Sequence, residues 1–158
     1  MDIEPLMRRA IDLSREKMEA GEGGPFGAVV ARAGDGRVLG EGWNRVTSAH
    51  DPTAHAEIVA LRAAAATLAT HDLTGTILVT SCEPCPMCLA SALWARVDAI
   101  HYANSRLDAA AIGFDDAYFY EQVCLPLERR DVPMIRTLAE EARPVFEEWQ
   151  AKPDKIPY

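Results

Sequence analysis

No stretch of about 18 uncharged apolar residues occurs anywhere in the chain, so a transmembrane helix is not expected. Nor does any run of lysine or arginine exceed two residues, the pairs being Arg8-Arg9 and Arg129-Arg130. The 16 basic residues are outnumbered by 24 acidic ones, leaving a formal net charge of −8. Phosphate contacts dominate the affinity of polyanion binders, which carry a basic excess or stripe. Nucleic acid is therefore disfavoured as a partner, although folding can still gather scattered basic residues into a patch. The N-terminal apolar residues are broken by Glu4, Arg8, Arg9 and Asp12, which does not read as a signal peptide. A cytoplasmic protein is the default expectation. Internal repeats, low-complexity segments and linkers are absent, so the 158 residues are expected to form one domain. Cysteine is sparse, yet Cys82, Cys85 and Cys88 fall within seven residues and only Cys124 stands apart. Without an export signal that spacing argues for metal before disulfides.

Hydrophobic periodicity orders the rest. Leu6, Met7, Ala10, Ile11 and Leu13 recur at helical spacing over about residues 3–20, and Gly21-Glu22-Gly23-Gly24-Pro25 ends that helix. Residues 26–33 suit a buried strand, Gly34-Asp35-Gly36 a turn, and 37–43 the second strand of a hairpin. A helix is expected to enter through Asp51, Pro52 and Thr53, with His55 in its first turn, and to run to about Leu68. A third strand at 76–80, a helix at 86–95 and a fourth strand at 98–103 make a right-handed parallel crossover. A short helix at 115–123, a fifth strand at 133–138 and a last helix at 143–150 complete the reading. The expected fold is α/β: a three-layer α/β/α sandwich around a mixed five-stranded sheet.

Two segments carry chemistry: Thr53-Ala54-His55-Ala56-Glu57, and Ser81-Cys82-Glu83-Pro84-Cys85-Pro86-Met87-Cys88. Cys85 and Cys88 are three residues apart at a helix start, so their sulfurs share a face. The helix N-terminus favours thiolate, the form that binds metal. With the His55 imidazole they offer one nitrogen and two sulfurs, a set suited to one zinc ion per chain. Three protein ligands leave a fourth position for water, whose pKa falls to roughly 7 on zinc. Glu57 lies two residues past His55 and points elsewhere on the helix, as an acid/base beside that water rather than a further ligand. H-x-E followed by P-C-x-x-C is the recognised signature of zinc nucleobase deaminases, and the match here is complete.

Rival readings of these residues exist. A closed structural zinc module of Cys82, Cys85, Cys88 and His55 would leave Glu57 without a role. A redox pair at Cys85 and Cys88 would leave His55 and Glu57 unused. Cys124, in an apolar stretch, is expected in the core. His71 and His101 read as surface or edge-strand residues and His50 as a loop residue.

The resemblance extends beyond the signature. Gly23-Gly24-Pro25-Phe26-Gly27-Ala28-Val29, Asp51 to Glu57, Thr80 to Cys88, Gly113-Phe114-Asp115-Asp116 and Tyr158 together resemble the bacterial guanine deaminases of the cytidine deaminase superfamily, in order along nearly the whole chain. The zinc motifs mark the superfamily; the Phe-Asp-Asp run and the terminal tyrosine mark the guanine-type branch. The resemblance implies a cytidine deaminase-like domain, a homodimer, and hydrolysis of guanine to xanthine and ammonia. It implies that Asn44 and Asp116 bind the base and that Phe26 and Trp94 shape the pocket. It also implies that residues 151–158, ending in Tyr158, form a tail that closes an active site, its own or its partner's. Read alone, Phe26 and Trp94 would be core aromatics, Asn44 a loop residue and Asp115-Asp116 a helix start. Similar chains act on guanosine or on amino-triazines such as ammeline, and tRNA adenosine deaminases share both zinc motifs. The acidic balance and the small-molecule character of a tail-closed pocket count against the tRNA alternative.

Overall fold

The computed structural model describes residues 1–157; Tyr158, expected to close a site, lies outside the described residues. In chain order the elements are α1 (Glu4–Glu19), β1 (Gly27–Arg32), β2 (Val38–Trp43), α2 (Val46–Ala49), α3 (Ala56–Leu68), β3 (Thr76–Cys82), α4 (Pro86–Ala95), β4 (Ala99–Asn104), α5 (Arg106–Ala111), α6 (Ala117–Cys124) and α7 (Ala139–Ala151).

The sheet runs β2-β1-β3-β4, with β1 antiparallel to both neighbours and β3 parallel to β4. Alternation along the two central strands sorts the core into two halves. Ala28, Val30 and Leu78 face α3 and α4, packing with Ala56, Ala60, Leu61, Ala64 and Ala92. Val29, Ala31, Ile77 and Val79 face α1 and meet Leu6, Ala10 and Leu13. Because both faces are covered, residues 28–31 of β1 and 77–79 of β3 read as continuous apolar runs rather than as alternating ones. The three layers are as expected.

Glycine sets how closely α3 approaches β2. A Cβ on Gly42 would lie 2.2 Å from the Ala56 carbonyl oxygen, and one on Gly40 would lie 2.5 Å from that of Ala60. Only bare backbone fits beneath this helix, whose first residues carry the candidate chemistry.

Several expectations are corrected. The sheet has four strands, not five: residues 133–138 are irregular and join no strand. Pro133 offers no N–H, and Met134, Ile135 and Leu138 remain exposed, so this segment finds neither a ladder nor a face to cover among the described residues. The α3 helix begins at Ala56, later than expected, because Asp51 spends its carboxylate on a local turn, accepting from Thr53 N (2.8 Å) and Oγ1 (2.7 Å) instead of capping the helix. The short helices α2 and α5 add to the expected elements, and Ser105 and Asp108 form a reciprocal capping box at the start of α5. Cys124 is exposed rather than in the core.

Candidate metal centre and active site

Each chemical residue is set by the entry to a helix. His55 is the extended residue immediately before α3 (φ −68°, ψ 156°), and Cys85 holds the same place before α4 (φ −66°, ψ 169°). Pro86 tolerates the first helical position, where no N–H is needed, and Cys88 follows one turn into α4. His55 is thus a residue earlier than a first-turn position. The shift aims its ring across to α4: His55 Nδ1 lies 3.5 Å from Cys88 Sγ and 3.7 Å from Cys85 Sγ. A tetrahedral zinc with bonds of about 2.0 Å to nitrogen and 2.3 Å to sulfur requires a nitrogen–sulfur separation of about 3.5 Å. The three ligand atoms lie within 4.8 Å of one another, and among the described residues no other such cluster occurs. The donor set fits zinc.

The electrostatics agree. A hydrogen bond from Cys88, aided by His55, brings the Cys85 thiol down to about 4, while Cys88, bonded to that sulfur and buried, is pushed up. The two thiols behave as one coupled pair in which a thiolate is already favoured. The hydrogen bond to Cys85 also raises the His55 pKa. Cys82 is not in the cluster. Its Sγ lies 3.8 Å from the Ser105 carbonyl oxygen, and burial pushes its thiol up to about 11. Its absence from the three-atom cluster counts against the closed four-ligand alternative.

Glu57, 6% exposed, occupies the second position of α3. Burial raises its carboxyl above the ordinary range, and the charge on Cys85 adds to that. Glu57, His55 and Cys85 open onto a cavity of about 670 Å³ whose wall also includes Phe26, Asn44 and Asp116. Asn44, 8% exposed, follows β2. The Asp116 carboxyl is raised by burial and by Cys85, with Arg106 pulling the other way. The Phe26 and Phe114 rings meet edge to face at 4.9 Å.

Trp94 is not brought to this cavity. It stands nine residues after Cys85, about 13 Å along the helix at 1.5 Å per residue. It is 65% exposed and lines a separate groove with Leu93 and Arg96. Sequence reasoning missed Glu83, Arg106 and Phe119, which complete the wall. The α5 capping box was the available signal for Arg106; the backbone bond from Arg106 N to Glu83 Oε2 (3.0 Å) had none.

The site and fold define a zinc-dependent deaminase. Residues 1–104 match the cytidine and deoxycytidylate deaminase zinc-binding region, and the chain belongs to that enzyme family. Among its relatives, a guanine deaminase of Bacillus subtilis is 45% identical over the whole of both chains. Its crystal structure superposes with a TM-score of 0.94, covering 100% of this chain and 99% of that one. A guanine deaminase from Nitrosomonas europaea superposes at 0.71, with 39% identity over 73% of this chain and 66% of that one. A tRNA-specific adenosine deaminase of Haemophilus influenzae is 40% identical over 72% of this chain and 67% of its own length.

Proposed function

We propose that the enzyme hydrolyses free guanine to xanthine and ammonia, water oxygen replacing the 2-amino group. The observation that carries this reading is the convergence, on one cavity, of the His55–Cys85–Cys88 set, buried Glu57, Asn44 and Asp116, in a chain alike along its whole length to a guanine deaminase.

Zinc held by His55 Nδ1 and the sulfurs of Cys85 and Cys88 would lower the pKa of a water to about 7, supplying a nucleophile near neutral pH. Glu57 is the proton carrier. Its raised pKa suits it to accept the proton of the attacking water, deliver it to the ring nitrogen beside the reacting carbon, and protonate the departing amine. Asn44 and the Asp116 carboxylate bind the edge of the ring, the latter accepting from N–H groups, and Phe26 supplies an apolar wall. Hydrogen-bonding sites of this kind reject rings that leave a buried partner unpaired.

The enzyme acts as a homodimer. After Ser105 only Ala109 is buried among the described residues, and Ile135, Val145, Phe146 and Ile156 present apolar surface to solvent. So do Leu93 and Trp94 on α4 and Tyr102 on the edge strand β4. Apolar area on that scale favours a second copy. Residues 151–158 are read as the tail that closes a site, its own or its partner's; beyond α7, Pro153 and Pro157 bar the helix from continuing.

The test is ammonia release across guanine, guanosine, ammeline, cytosine, cytidine and adenosine. Guanine is expected to have the highest kcat/KM. A preference for guanosine would overturn the free-base assignment, and a preference for cytidine the purine assignment. No helix among the described residues is long and apolar enough to cross a membrane.

A further inference from the structure

Asn44 is held from two sides by backbone. Its Oδ1 accepts from Gly24 N and from Val46 N, each at 3.3 Å. A backbone N–H can only donate, so the amide atom facing both must be the oxygen. Both of its lone pairs are then occupied, and the Asn44 NH₂ is the group left for the cavity.

The turn that imposes this is itself clamped. A Cβ on Gly23 would lie 1.9 Å from the Asn44 carbonyl oxygen and 2.9 Å from its Oδ1, so the turn rests directly on Asn44. Gly21, at φ +70°, continues from α1, with Gly21 N donating to Met18 O and Glu22 N to Lys17 O. Lys17 Nζ donates to Glu22 Oε1 at 3.0 Å and sits 4.2 Å from the centre of the Trp43 ring. Trp43 is the residue before Asn44. Lys17 therefore ties the turn to the strand end that carries Asn44, and Ser48 Oγ adds a bond to Glu22 O at 2.6 Å.

We propose that residues 21–24, clasped by Lys17 between Glu22 and Trp43, are a positioning element that restricts Asn44 to donating toward the substrate ring. Asn44 then selects a purine edge presenting an acceptor and rejects one presenting N–H. The inference rests on the guanine reading above. Lys17 is a positioning residue, acting through Asn44 without touching the ring.

The test uses the full-length, zinc-loaded enzyme with guanine. Asn44→Asp keeps an oxygen for the two backbone donors and turns a second oxygen toward the ring acceptor, so kcat/KM is expected about tenfold or more below that of Asn44→Ala. The opposite order would mean that Asn44 presents its carbonyl, and overturns the inference. Lys17→Met is expected to raise KM about 3- to 10-fold with kcat little changed, and Lys17→Arg to restore KM, because only the orientation of a binding group is loosened. Lost stability in Lys17→Met with KM unchanged would reduce the clasp to scaffolding and overturn it too. Absence of ammonia from guanine with the unaltered enzyme would overturn the guanine reading and this inference together. Guanine turnover with either adverse variant result overturns this inference alone.

Discussion

Replacing Gly42 with alanine probes whether the seat of α3 on β2 sets the geometry of the site. The added methyl would stand 2.2 Å from the Ala56 carbonyl oxygen, 2.5 Å from Ala60 N and 3.0 Å from Val59 Cβ. The first two neighbours are helix backbone and cannot rotate away. The helix must instead retreat by about 1 Å to restore van der Waals contact. Overpacking of this kind costs about 1–3 kcal/mol. At about 2–4 °C per kcal/mol for a chain of this size, Tm should fall by about 2–12 °C. The effect on chemistry should be larger, since Ala56 lies between His55 and Glu57. A misplacement of about 1 Å costs on the order of 10²-fold in rate. The assay compares Tm, zinc content and ammonia release of Gly42→Ala with those of Gly34→Ala, where a Cβ would meet nothing within 4 Å. If Gly42→Ala melted like Gly34→Ala with an unaltered kcat/KM, α3 would not be seated on that glycine and the argument would collapse.

Glu57→Gln preserves shape and should retain zinc and fold while losing at least about 10²-fold in kcat, a general acid–base loss; near-normal turnover would remove Glu57 from proton transfer. Removing Ile156, Pro157 and Tyr158 should lower kcat/KM about tenfold or more at matched zinc content with the dimer intact, as loss of a lid requires; an unchanged value would show that the tail covers nothing. Arg9 Nε and a terminal nitrogen reach the two Glu41 carboxylate oxygens at 2.8 Å each, and these hydrogen bonds hold the Glu41 carboxyl below its usual range. Because its folded pKa is the lower one, the native state binds fewer protons. The stabilisation is present above about pH 4.3 and is lost as pH falls through the depressed value. Urea titrations of Glu41→Gln should therefore show a flatter acid limb than the unaltered protein, by under about 1 kcal/mol for so exposed a pair; parallel curves would contradict the linkage.

What the chain announced in advance was whatever depends on short-range pattern. The α4 helix is legible at residues 86–95 because Pro86 opens it, with Cys85 just before the first turn and Cys88 within it. The hairpin and the parallel crossover followed from Gly34-Asp35-Gly36 and from one helix between two apolar strands. The metal set was legible because its ligands lie at two helix entries, a local feature with fixed spacing. Elements that rely on distant partners were not. Residues 133–138 have a strand-like composition, but a strand exists only where another offers a ladder, and none does among the described residues. Cys124 and Trp94 look like core residues by type, yet burial depends on what packs against α6 and α4, which local composition does not encode. The bond from Arg106 N to Glu83 joins residues 23 positions apart and could be read only from coordinates.

The cavity wall is assembled from two lengths of chain with different tasks. The ligand set and Glu57 lie within residues 1–104, the stretch held by the sheet, whereas Phe114, Asp116 and Phe119 come from the helical segment beyond it. Sheet and ligands constrain one another tightly, since a Cβ on Gly42 would lie 2.2 Å from the carbonyl oxygen of Ala56, the residue after His55. The later segment bears little on the core, burying a single alanine among its described residues. Mutations there can redraw the shape and charge offered to a substrate without loosening a ligand or unseating a strand. On this plan the later segment can reshape its own share of the wall at low risk to the reaction chemistry, while the share of recognition carried by Phe26 and Asn44 stays tied to the sheet.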